Sequence, residues 1–210
     1  MSIIEIKNVT LEIKKKVILD DITLNIEKGT IHALVGENGS GKTMLMKSIC
    51  GFVHPKGSIT VQGKKIGVDV DFPKNLGLII ETPGFIPYFS GYKNLEYLAS
   101  INNKISKKEI LEALELVALI EDKDKKVGKY SLGMRQRLGI AQAIMENPDI
   151  LVLDEPMNRL DYKGIDIVRD LLLKLKQQGK TILITSHNTQ DIEILCDNIT
   201  YMENGKIVKK

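Results

Sequence analysis

Apolar residues along this chain fall into two rhythms. As far as Lys28 they alternate with polar ones in short pieces: Ile4-Glu5-Ile6, Val17-Ile18-Leu19 and Ile22-Thr23-Leu24-Asn25-Ile26, separated by charged turns. Period two marks half-buried strands, so this stretch predicts an antiparallel sheet. Beyond it the strands read as unbroken apolar runs, as in Thr30-Ile31-His32-Ala33-Leu34-Val35, Ile150-Leu151-Val152-Leu153 and Thr181-Ile182-Leu183-Ile184-Thr185. Such runs predict strands covered on both faces. Helical patterns fall between them, one from Met44 and one over Ile165–Gln178 that Gly179 stops. Strands alternating with helices imply a parallel sheet. Ser58–Gly63 adds a short strand, and Asn204-Gly205 inside Ile199–Val208 is a hairpin signal.

The character changes between about Thr82 and Asn147. Asn94-Leu95-Glu96-Tyr97-Leu98-Ala99 reads as helix. Ser106-Lys107-Lys108-Glu109 is a capping box, and behind it Ile110, Leu111, Leu114, Val117 and Ala118 form a stripe at helical spacing. A further helix is expected over Ser131–Met145. We read a helical subdomain, about 82–147, inserted into an α/β core made of 1–81 and 148–210.

Bulk properties narrow the class. A chain of 210 residues is long enough for a single domain with an inserted part. Thirty basic residues against 27 acidic ones leave a net charge of +3, too slight an imbalance for nucleic acid or an anionic membrane as main partner. Cys50 and Cys196 lie far apart, each at the end of an apolar helix, which fits a reducing cytoplasm. The first residues show no signal peptide, and no run approaches the roughly 18 apolar residues of a membrane span. Work at a membrane is therefore expected to go through a partner.

The chemistry begins at Gly36-Glu37-Asn38-Gly39-Ser40-Gly41-Lys42-Thr43, which fits the phosphate-binding loop Gly-x-x-x-x-Gly-Lys-[Ser/Thr] between a strand and a helix. Its glycines let successive N–H groups point at phosphate oxygens, and the helix N-terminus adds positive potential. Lys42 is placed to reach the β- and γ-phosphates, and the Thr43 hydroxyl to ligate Mg²⁺. The run Ile150–Leu153 ends in Asp154-Glu155. A carboxylate at a strand tip beside a phosphate loop suits a magnesium ligand, and the next can orient an attacking water. The chain is expected to bind a nucleoside triphosphate with magnesium.

Between these motifs stands Ser131-Leu132-Gly133-Met134-Arg135-Gln136-Arg137. Together with Asp154-Glu155-Pro156, Asn158-Arg159-Leu160-Asp161 and Thr185-Ser186-His187, the set resembles the ATP-binding subunit of ABC transporters. The resemblance runs in order from about Ile3 to Val208. It implies the α/β fold of an ABC ATPase: a P-loop NTPase core with a parallel sheet, an N-terminal antiparallel β subdomain and an inserted helical subdomain. It implies ATP hydrolysis with ATP and Mg²⁺, at the cytoplasmic face of the membrane beside a membrane-spanning permease subunit. It also implies a second ATP-binding subunit, whether a copy of this chain or a different one, paired head to tail. Ser131 and Gly133 would then contact the γ-phosphate held by the partner's loop. Asp154 would hold Mg²⁺, Glu155 would act as base, His187 would bond the γ-phosphate, and Asp161 would lie at the subunit interface.

The family pattern is broken in four places. The signature, usually Leu-Ser-Gly-Gly-Gln, is Tyr130-Ser131-Leu132-Gly133-Met134 here. Glu81 stands where glutamine is usual after the strand Leu76–Ile80, offering magnesium a carboxylate in place of an amide. Ile13 stands where an aromatic residue usually stacks on adenine. Arg159 replaces a usual glycine. Glu81 and the altered signature resemble the subgroup that exports bacitracin and lantibiotic peptides for self-protection. Two other classes compete. A soluble ABC-type ATPase acting on ribosomes or DNA would carry paired ATPase units or long coiled coils, and the chain has one motif set and no sustained heptads. A small-molecule kinase would give no reason for Ser131-Leu132-Gly133 or His187.

Overall fold

The computed structural model describes residues 1–81 and 83–209. The expected subdomain boundary at Thr82 and the terminal Lys210 lie outside the described residues.

The N-terminal alternation forms two long strands, β1 (Ser2–Ile13) and β2 (Lys16–Glu27), where separate short pieces were expected. The pattern looks broken because register shifts interrupt it while the ladder continues. Asn8 and Asp21 take left-handed backbone at such shifts, and Asn8 Nδ2 donates to Asp21 Oδ1 at 2.9 Å. An extra residue in a ladder flips the inward face, which a period-two reading scores as a strand end. Lys14 and Lys15 both have positive φ, the two-residue turn whose twist suits a hairpin.

The chain continues through β3 (Ile31–Val35), α1 (Lys42–Ile49), β4 (Lys56–Val61), β5 (Lys64–Lys65) and β6 (Leu76–Ile79). Next come α2 (Gly91–Asn102), α3 (Lys107–Leu116), a 3-10 turn at Val127–Lys129 and α4 (Leu132–Ile144). Then follow β7 (Ile150–Leu153), α5 (Tyr162–Gln177), β8 (Thr181–Thr185), α6 (Thr189–Leu195), β9 (Asn198–Glu203) and β10 (Lys206–Val208). Strands β2-β1-β4-β5 make an antiparallel sheet. A second sheet has the order β10-β9-β3-β8-β7-β6; its strands are parallel except β10, which closes the Asn204-Gly205 hairpin.

The unbroken apolar runs are explained by a second sheet buried on both faces. Leu34, Ile150, Val152 and Leu183 face the antiparallel sheet and α1, sharing a core with Ile4, Ile6, Leu45 and Met46. Their neighbours Ala33, Leu151, Leu153, Ile182 and Ile184 face the other way, into a core that includes Leu95, Leu114, Leu138 and Leu172 from α2 to α5.

Helix ends follow their caps. The Ser106–Glu109 capping box is formed at the start of α3. That helix stops at Leu116, and Ala118 takes left-handed backbone at an exposed position. The inward stripe is therefore Ile110, Ala113, Leu114 and Val117, and Ala118 does not belong to it. Cys50 and Cys196 are the C-terminal caps of α1 and α6. Burial pushes both thiols up to about 12, so neither is a thiolate at neutral pH.

Gly77 lets β6 lie against α4. A Cβ there would sit 2.0 Å from the Ala143 carbonyl oxygen and 2.8 Å from a Leu151 methyl. The obstacle is helix backbone, which cannot swing aside. Gly77→Ala is expected to cost about 1–3 kcal/mol or more by overpacking. A urea midpoint equal to wild type would contradict this packing.

Candidate functional site

Residues Gly36 to Thr43 link the end of β3 to α1 and wrap the helix N-terminus. Gly41 is the N-cap at φ +106 with no side-chain cap, so the first N–H groups of α1 are left for a ligand. At Gly36 a Cβ would lie 2.1 Å from the Met202 carbonyl oxygen, so only glycine lets the loop pass β9. Lys42 folds back over the loop and donates to the carbonyls of Gly36 (2.7 Å) and Glu37 (2.9 Å). Burial lowers its pKa, while the charges of Glu155 and Asp154 pull it back up. Ser40 Oγ is buried within the loop without a hydrogen-bond partner. Such an orphan is expensive unless a ligand completes it.

The strand tips bring the carboxylates to this loop. Thr43 Oγ1 donates to Asp154 Oδ2 at 2.8 Å, and Thr185 Oγ1 donates to Asp154 Oδ1 at 2.6 Å. The Thr185 hydroxyl also accepts from the Glu155 N–H at 2.8 Å. Glu155 sits at φ +50, held from the other side by Gln136, whose amide donates to the carbonyls of Glu155 and Pro156 at 3.2 Å each. Burial raises the Glu155 pKa; the neighbouring His187 lowers it, and Asp154 raises it further. His187 Nε2 lies 2.8 Å from Glu155 Oε1, yet that oxygen has no partner of hydrogen-bond geometry. Distance alone does not make the bond. A buried carboxylate oxygen is thus free to take a proton from a water.

The loop, Asp154 and Glu155 line one cavity of about 360 Å³, together with Lys16 and Ile18 of β2. Ile13 is not among its lining residues: it pairs with Lys16 across the hairpin and is 39% exposed. The aliphatic surface beside the loop is Ile18. Glu81 follows β6 in left-handed backbone and lines a second cavity, of about 190 Å³, with Asp154, Glu155 and Arg159. Its carboxylate is paired with Lys47 Nζ at 2.5 Å.

The remaining expected residues lie elsewhere in the chain. Ser131 is the N-cap of α4, accepting from the Met134 N–H at 3.1 Å. Neither it nor Gly133 lines either cavity. Gly133 packs beside Arg159, whose carbonyl oxygen would lie 3.1 Å from a Cβ there. Asp161 caps α5, accepting from the Gly164 N–H at 2.9 Å. The motifs include Thr185 and Gln136 but give neither a role, and Lys16, Ile18 and Lys47 stand outside every motif. Thr185 was visible as the polar end of an apolar run, but its contact with Asp154 needs the adjacency of β7 and β8.

Thr43, Asp154 and Glu81 offer oxygen only, a donor set that suits magnesium, which takes one or two carboxylates and completes its shell with phosphate and water. Among the described residues no group of three or more His, Cys, Asp or Glu forms a ready metal cage.

An antiparallel sheet, a parallel sheet and a phosphate loop facing an Asp-Glu strand tip define a nucleotide-hydrolysing cassette. The family model described as ABC transporter matches residues 19–158. The chain belongs to the ABC transporter family, as an ATP-binding subunit with ATPase activity. It is 48% identical over 205 residues to the uncharacterized ABC transporter ATP-binding protein YybJ of Bacillus subtilis, covering 97% of this chain and 94% of that protein. It is 41% identical to the bacitracin transport ATP-binding protein BcrA of Enterococcus faecalis, covering 99% of this chain and 68% of that protein. A dimeric ATP-binding cassette in a post-hydrolysis state with ADP and Pi superposes with a TM-score of 0.86 at 25% identity, covering 98% of this chain and 97% of that one.

Proposed function

We propose that this chain is the motor of an exporter of amphiphilic peptides, working as a pair of ATP-binding subunits on a membrane-spanning permease. The observation that carries the pairing is a site in two halves. The loop, Asp154, Glu155 and His187 converge in one place, whereas Ser131 and Gly133 line neither cavity. A helix N-terminus opening at Ser131 suits a phosphate belonging to a second subunit. In this reading Lys42 and the loop N–H groups hold the phosphates, and Thr43, Asp154 and Glu81 hold Mg²⁺. The metal supplies positive charge against the phosphate oxygens. Glu155 takes the proton from the attacking water, and His187 orients against it and the γ-phosphate. Asp161, beside Gly133 through Arg159 and Leu160, would tie the cap of α5 to the interface.

The peptide cargo is supported by the likeness to the bacitracin transport protein and by Glu81 in the place of glutamine. The helical part, about 82–147, would face the permease. A groove of about 650 Å³ between the β6 edge and α2 and α4, lined by Leu98, Ile101 and Met145, supports that orientation. Among the described residues no helix is long and apolar enough to cross a membrane, so membrane attachment would come from the permease.

The test is solution mass by light scattering on Glu155→Gln with Mg-ATP. Mass should rise from 23.5 kDa to twice that. A monomer with ATP demonstrably bound would overturn the self-paired site. For the cargo, co-expression with the co-purifying permease should raise a sensitive host's resistance to a cyclic peptide antibiotic. Unchanged resistance with an assembled, ATP-hydrolysing complex would remove the peptide assignment and leave the motor standing.

A further inference from the structure

Thr43 and Lys47 stand four apart on α1 and therefore project from one face, a turn apart. Each reaches the carboxyl end of a different parallel strand. Thr43 Oγ1 donates to Asp154, just past β7, and Lys47 Nζ to Glu81, two residues past the end of β6. The two strands are hydrogen-bonded neighbours with Ile79 opposite Leu153, and the Asp154 N–H donates to the Ile79 carbonyl at 2.7 Å. One helix face thus makes two matched bridges to adjacent strand tips. The first bridge belongs to the metal site. The second ties up the remaining carboxylate that would serve it.

Glu81, Asp154 and Glu155 line one small cavity, so Glu81 brings a third carboxylate to its walls. Lys42 stands against Asp154 and Glu155, while Glu81 is held by Lys47. Its side chain is 27% exposed and that of Glu81 65%, so the pair is wet and weak. A weak pair is one a divalent cation can displace.

We propose that Lys47 is a positioning residue for Glu81. It holds the carboxylate against α1 in the nucleotide-free subunit, and Glu81 exchanges the ammonium for magnesium when nucleotide binds. Lys47 thereby sets the magnesium concentration at which the site closes. This rests on the reading of Glu81 as a magnesium ligand, and the two can fail separately. An amide at this position would not need the lysine. A carboxylate does, and the cation also prevents Glu81 from capturing metal before the phosphates arrive.

The experiment titrates Mg²⁺ into wild type and each variant at a fixed concentration of fluorescent mant-AMP-PNP, which is not hydrolysed, and reads the half-saturating Mg²⁺ from the fluorescence change. Lys47→Met should lower that concentration about two- to fivefold, the range an exposed ion pair commands. Lys47→Arg, which keeps the charge, should stay within about twofold of wild type. Glu81→Gln should raise it about threefold or more, because magnesium prefers the carboxylate. The double variant Lys47→Met/Glu81→Gln should match Glu81→Gln alone, since a latch without its bolt has nothing to release. If Glu81→Gln moves the half-point and Lys47→Met does not, or raises it, the latch is overturned and the ligand reading stands. If Glu81→Gln leaves the half-point unchanged, Glu81 is not a magnesium ligand and the exchange falls with it.

Discussion

Replacing Lys42 with alanine lowers the affinity for Mg-ATP by about a hundredfold or more, measured by calorimetry or mant-ATP fluorescence. The size follows from what Lys42 gives up. Its ammonium now spends two hydrogen bonds on the carbonyls of Gly36 and Glu37, at 2.7 and 2.9 Å. Those bonds hold it over the loop in the place where phosphate oxygens would bind. With nucleotide present the same donors meet anionic oxygens, and charge-assisted bonds contribute about 1.5–3 kcal/mol each. Loss of two is about 3–6 kcal/mol, or about two to four decades in affinity. Lys42 also stands against Asp154 and Glu155, so its removal leaves two carboxylates without their shared cation. A circular-dichroism melt confirms that the variant is folded before its binding is judged. Affinity within threefold of wild type would show that the loop N–H groups alone hold the phosphates.

Glu155→Gln separates binding from turnover. A positioned general base contributes about 10²–10⁴ in rate, so steady-state phosphate release should fall about a hundredfold or more while ATP still binds. Full turnover in this variant would exclude Glu155 as the base. The pH profile carries independent information. Burial holds the Glu155 carboxyl above its ordinary range, with Asp154 adding to the rise and His187 opposing it. A base raised in this way loses its ionised form as pH falls through the raised value, so the acid limb of the kcat profile should begin above the ordinary carboxylate range. His187→Ala removes the opposing influence, and the acid limb should move to higher pH. The same shift bears on stability. A carboxyl whose pKa is higher folded than unfolded is costly to ionise in the folded chain, and that cost appears as pH rises. Glu155→Gln should therefore melt at a higher temperature than wild type at pH 8, and at nearly the same temperature at pH 4.

The chain's own order of residues carried the phosphate loop, the Asp154-Glu155 tip and the run of parallel strands, because each is local. Glycines at fixed offsets shape a turn, and an apolar run with flanking polar residues makes a strand whatever its neighbours. The Ser106–Glu109 box and the Asn204-Gly205 turn were legible for the same reason: their partners lie within a few residues. The long β1–β2 ladder was not, since its bulges reverse the inward face and period two cannot follow a strand through them. Ala118 was misplaced because the end of α3 depends on a left-handed turn that spacing does not announce.

What only the tertiary structure decided is which distant residues meet. Thr185 reaches Asp154 because β7 and β8 are neighbours, across 31 positions of sequence. Ile18 lines the cavity beside the loop, while Ile13 pairs with Lys16 at the hairpin turn, because the register of β1 and β2 sets which side chains meet the loop. Lys47 finds Glu81, 34 positions away, because α1 crosses the tips of β6 and β7 with Thr43 and Lys47 on one face. Residue types and their spacing determine what each element can offer. Strand order and helix rotation determine what it is offered to, and those are set by burying both faces of the sheet at once, a choice no single segment can make.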